Sequence, residues 1–227
     1  MACLSGMPLI FSAMMVHTNT TGPISSDGKI ELKAFENKKG KITEFSDYYF
    51  NTGKQSYFIQ PCGNSLFSNG VIRRIVGEKI HIIGELKNGQ WDNCSSEMVQ
   101  SRTGEYLIIS TIELLNDPEY FISDGSGNAY DLRQNQIHYI PVKPENSSSG
   151  MYSGGEEKTT SIDLLSYLDL RDQIKTLCMD KALHIKNRVK GSVGIRWKEN
   201  NKIKSVIVSD ESGAKILQSL KSALHGR

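Results

Sequence analysis

The chain has 227 residues, 38% of them hydrophobic and 23% charged, with a formal net charge of +2. That length suffices to bury a sizeable core in one large domain or two modest ones, and so small a net charge excludes any partner argued from it alone. The distribution is uneven: residues 159–227 hold 13 Lys and Arg against 7 Asp and Glu, a balance of +6, while residues 1–158 carry −4.

Met1 to Val16 is mostly apolar and uncharged, and a polar stretch follows it. The run is shorter than the roughly 20 apolar residues of a membrane span. Pro8 to Met15 fits the apolar region of a secretory signal, but no Lys or Arg precedes it. Residues 1–28 therefore read as a tail. The signal remnant, with its start upstream of Met1, expects a periplasmic or extracellular protein; the loosely packed tail expects a cytoplasmic one.

Lys29 to Glu36 alternates, with Ile30, Leu32 and Ala34 on one side, as a half-buried strand does. Strands are expected again over Ile42 to Phe50 and Ser56 to Gln60, joined by close turns that favour antiparallel pairing. In Glu78 to Leu86, Ile80 and Ile82 face one way and His81 and Ile83 the other, with Gly84 placed for a bulge. Lys87 to Gln90 reads as a turn, and Glu105 to Leu115 as a closing strand. The stretch GEKIHIIGELKNGQW…GEYLIISTIELL resembles the latter part of an OB-type barrel and is similar to small OB-like domains of exported bacterial proteins. The resemblance implies a sheet face that binds an oligonucleotide, an oligosaccharide or a protein.

Asp124 to Asn128 is a hairpin turn rather than a phosphate loop, because a strand and not a helix follows it. Another strand covers Gln136 to Val142. Residues 143–158, rich in Ser, Gly and Pro, read as the boundary between a β-rich domain over 29–142 and a small unit over 159–227. Pro followed by SSSG and YSGG is similar to runs in exported bacterial proteins, a likeness that supplies no activity. Beyond it, Leu165 to Met179 reads as a helix with Tyr167, Leu170, Ile174, Leu177 and Cys178 on its stripe. Lys186 to Arg196 and Lys202 to Ser209 read as a strand pair turning at Glu199-Asn200-Asn201, and Ser212 to Leu224 as a last helix. The expected fold is α+β: an antiparallel OB-like barrel or sheet, then helix, hairpin and helix.

Chemistry-bearing motifs are few. The five histidines have no HExxH or paired-Cys context, so neither a metal nor a cofactor is expected. Asp169 and Asp172, with Arg171 between them, read as a solvated helix face. Among Cys3, Cys62, Cys94 and Cys178 no pair has CxxC spacing; export favours a Cys62–Cys94 disulfide across one strand, with Cys178 buried on its helix. Lys186, Arg188, Lys190, Arg196, Lys198, Lys202 and Lys204 are expected on a common side of the hairpin, opposite Trp197. These residues point to a non-catalytic, exported binding protein for a protein, glycan or polyanion ligand. The alternative is a nucleic-acid or polyanion-binding module using the basic hairpin 186–204; the bland reading is an edge kept soluble by lysines.

Overall fold

The computed structural model describes residues 21–36, 42–91, 102–199 and 201–226. The signal-like run, Cys3, Cys94 and the turn at 37–40 lie outside the described residues.

Five strands form the first sheet: β1 (Gly22–Glu36), β2 (Ile42–Asn51), β3 (Ser56–Ile59), β4 (Lys79–Trp91) and β5 (Arg102–Leu114). Their pairings run β1-β2-β3-β5-β4 and close on themselves, because β1 pairs with β2 along Lys29–Glu36 and with β4 along Gly22–Lys29. Gly22 to Gly28, read in the sequence as tail, thus belong to a strand. The segment is polar because its alternate side chains face water. All pairs are antiparallel except β3 with β5, and that parallel pair demands a crossover. The crossover carries two four-residue helices, α1 (Ser65–Ser68) and α2 (Val71–Arg74), where sequence periodicity expects none. One turn is too short to display a period. Asn64 caps α1 by accepting the Leu66 N–H at 3.0 Å, and Val71 and Ile72 seal the core.

The register slips between Ile83 and Gly84, where a side chain on Gly84 would overlap the Ile108 carbonyl oxygen. Ile80 and Ile82 are buried and Ile83 is exposed, as the alternation requires. Lys87 to Gln90 make no turn: β4 runs straight through to Trp91 against β5.

The second sheet holds β6 (Tyr120–Ser123), β7 (Ala129–Arg133), β8 (Gln136–Ile140), β9 (Lys158–Ser161), β10 (Val193–Glu199) and β11 (Lys202–Val208), in the order β11-β10-β6-β7-β8-β9. The changeover between sheets therefore falls between Leu114 and Tyr120, not at 143–158. The Ser/Gly/Pro stretch lies within the second sheet, between β8 and β9. Helix α3 (Leu164–Met179) buries Tyr167, Leu170, Ile174 and Leu177, its Asp163 cap accepting the Ser166 N–H at 2.7 Å. It packs on α4 (Asp210–Leu224), which lies on β8, β9 and β10. Ile122, Tyr130, Leu132, Ile137, Val193 and Ile195 fill that helix-covered face, at roughly 1.5–3 kcal/mol per fully buried large apolar side chain. Asn201 turns the β10–β11 hairpin at φ 61°, a left-handed conformation that asparagine tolerates.

Candidate functional site

The seven cations expected on one face divide three ways. Lys186, Arg188 and Lys190 precede β10, in a loop rather than on a strand. Arg188 is committed there: its guanidinium donates to Ser123 Oγ at 3.2 Å and to the Asp124 carbonyl, tying the loop to the β6–β7 turn. Arg196 and Lys198 lie on the β10 face turned away from the helices, with the Arg196 guanidinium carbon 4.6 Å above the Phe121 ring. Lys202 and Lys204 lie on the opposite face, because Lys202 pairs with Glu199 and Lys204 with Trp197, and directly opposed residues share a face. Alternation along the strand alone sets Trp197 away from all the cations. The register puts it beside Lys204.

This register builds a groove of about 1010 Å³ between the two sheets. One wall is Lys79 and Leu114 of the closed sheet; the other is Trp197, Lys198 and Lys204 of the hairpin; Lys175 and Met179 of α3 line it too. The Lys175 Nζ stands 3.9 Å from Glu78 and 3.7 Å from Asp117. Lys204 pairs with Glu199, and its hydrogen bond holds that carboxyl below its ordinary value. Lys79 and Lys198 have no ion pair among the described residues. Met179, 80% exposed, and the half-buried Trp197 supply apolar surface beside these ammonium groups. Such a groove suits a ligand carrying anionic groups on a partly apolar frame.

An ion network holds the groove's floor. Arg171, with its side chain 2% exposed, donates to Glu78 at 2.8 Å and to Asp117 at 3.3 Å, and Tyr167 donates to Asp117 at 2.5 Å. Burial alone would lower the Arg171 pKa, but the Glu78 hydrogen bond and the Asp117 and Asp172 charges outweigh it and raise the value. Asp169 and Asp172, read as a solvated face, receive Arg74 of α2 at 2.6 and 2.7 Å. No local pattern reveals this, because the partners lie 95 and 98 residues apart in sequence.

A second constellation has no local signature in the sequence. On β1 and β4 the His81 Nδ1 lies 2.6 Å from Asp27 Oδ1, and its Nε2 lies 3.0 Å from Ser25 Oγ. In the tautomer with the proton on Nδ1, the imidazole donates to Asp27 and its Nε2 accepts from Ser25, the order of a nucleophile, base and orienting carboxylate. The spacing comes from period-2 alternation plus a cross-strand partner, and only the register could reveal it. Ser25 and Asp27 stand exposed on the outside of the sheet, and a cavity of about 520 Å³ beside β1 reaches Asp27 but neither Ser25 nor His81.

Cys178 is a free, half-buried thiol whose pKa burial pushes up to about 12. Cys62 is not a free thiol, and Cys94 lies outside the described residues. Among the described residues no three His, Cys, Asp or Glu side chains gather as metal ligands, and no helix is long and apolar enough to cross a membrane. Compared with known families, curated proteins and solved structures, the chain matches none.

Proposed function

We propose that this chain is a binding protein that holds an acidic glycan in the groove between its two sheets. The observation that carries the reading is the Trp197–Lys204 pair, which shares one face of the hairpin opposite Lys79, with Lys198 bordering the groove from the other face of β10. The indole offers a flat apolar surface to a sugar's C–H face, and the ammonium groups meet its carboxylates or sulfates. A nucleic acid is less well served, since successive bases want successive stacking rings and Trp197 stands without a second exposed ring among the groove's described residues.

The five-strand ring order supports reading the first sheet as an OB-type barrel, a fold used for oligosaccharides as well as oligonucleotides. Export to an oxidising compartment, with Cys62 bridged to Cys94, belongs to the same proposal; the engaged state of Cys62 supports it.

Titration with a heparin-derived octasaccharide, followed by tryptophan fluorescence, tests the glycan reading. The signal should disappear in Trp197→Phe, and affinity should fall about tenfold or more in Lys198→Gln/Lys204→Gln. Preference for a single-stranded oligonucleotide at equal salt would favour the nucleic-acid alternative.

The Ser25–His81–Asp27 geometry supports a second reading, hydrolysis through an activated serine. A fluorophosphonate probe decides it: binding alone predicts no labelling of Ser25, whereas labelling lost in Ser25→Ala and His81→Ala would establish catalysis.

A further inference from the structure

Strand β6 runs from Tyr120, in the groove, to a second cavity of about 700 Å³ at its far end. Tyr130 and Tyr139 line it from the sheet, Tyr152 from the Ser/Gly/Pro stretch, and Glu156, Lys158 and Lys221 border it. That volume falls within the range of small-molecule sites.

The wall is built, not draped. Asp124 accepts the Ser126 and Asn128 N–H groups at 2.8 and 2.9 Å. The Asn128 amide then donates to Asp124 at 2.8 Å and to the Tyr152 hydroxyl at 3.1 Å, while its oxygen accepts the Val142 N–H at 3.0 Å. Tyr139 donates to the Gly154 carbonyl at 2.7 Å, and the Gly154 N–H to the Val142 carbonyl at 2.9 Å. A methyl group on Gly154 would overlap Asn128 Oδ1 and lie 2.9 Å from Pro141. Only glycine lets the segment approach this closely.

Within this satisfied network one group stands apart. Tyr130 is 1% exposed, yet its hydroxyl has no hydrogen-bond partner among the described residues, and the side chain lines the cavity. The hydroxyl is not sealed off with the ring: it opens onto the cavity, free to hydrogen-bond an atom of whatever occupies it. Burial raises the Tyr130 pKa, which keeps the phenol a neutral donor. Tyr152 accepts from Asn128 and so retains its own O–H to donate. The charges around the cavity nearly cancel: Asp124, Glu156 and Glu157 stand against Lys158 and Lys221, and Glu157 already meets His138 at 2.7 Å. The C-terminal end of α4, which disfavours anions, borders it as well.

We infer that this cleft binds a neutral sugar. Tyr130 and Tyr152 donate to its oxygens, Glu156 accepts from a hydroxyl, and the tyrosine rings cover its C–H face. The inference stands apart from the glycan groove.

Calorimetric titration of the full chain with glucose, galactose and N-acetylglucosamine, with glucose 6-phosphate as the charged comparator, tests it. At least one neutral sugar should bind, and Tyr130→Phe should weaken it about tenfold while leaving the melting temperature unchanged, since the hydroxyl lost has no protein partner. Lys198→Gln/Lys204→Gln should bind the sugar like the parent chain. The inference is overturned if no neutral sugar binds, if glucose 6-phosphate binds more tightly than glucose, or if Tyr130→Phe binds like the parent. It is equally overturned if that variant melts markedly lower, or if the groove variant loses the sugar.

Discussion

The Arg171 guanidinium touches Glu78 and Asp117, and the Asp117 side chain is itself only 8% exposed. Removing one member of such a set leaves buried charges without a counterion. Arg171→Met should therefore destabilise by about 3–5 kcal/mol in denaturant titration, although methionine fills a similar volume. Asp163 gives a pH-dependent case. The Ser166 backbone N–H, then the Ser166 side chain, hold its carboxyl below the ordinary range. A lowered folded pKa gives stability that is fully present above the unfolded value of about 4 and is lost as pH falls through the folded value. Asp163→Ala should cost about 1 kcal/mol at neutral pH, with the gap closing on acidification, while Asp163→Asn should keep the cap without that pH dependence. With its pKa near 12, Cys178 should resist iodoacetamide at neutral pH in the folded protein and react after unfolding.

Elements with their own periodicity were readable in the chain. Helix α3 and its stripe, the Gly84 bulge and the Asp124–Asn128 turn need only near neighbours, and the structure places each where alternation or turn chemistry expects it. Elements defined by distant partners were not. Gly22 to Gly28 look like a polar tail until β4 pairs with them, and α1 and α2 are too short to announce themselves. Lys186 to Lys190 alternate like a strand, yet Arg188 spends its donors on a turn some 65 residues away. The stretch 143–158 reads as a boundary from composition alone, whereas hydrogen bonds from Asn128 and Tyr139 fix its second half. Gly154→Ala should release that half, and chymotryptic cleavage at Tyr152 should quicken while cleavage within β4 and β5 does not.

At the scale of the molecule, two sheets meet at Leu114 to Tyr120 and are clamped by Arg74 and Arg171. The hairpin's register then splits the basic residues so that Lys204 shares the groove face with Trp197 and Lys198 borders the groove from the other face, while Arg188 is held elsewhere. The candidate site was legible only as a list of cations. Which of them converge, and that Trp197 joins them, is decided by strand pairing across the molecule. Salt-gradient elution from heparin separates the two descriptions. One variant replaces Lys198 and Lys204 with Gln; its charge-matched counterpart replaces Lys186 and Lys190. Each neutralised contact should lower the salt dependence of binding by roughly one counterion. The groove account predicts that the first variant elutes well before the parent chain and the second elutes with it. Equal shifts in both variants, or failure of the parent chain to bind at low salt, would contradict it.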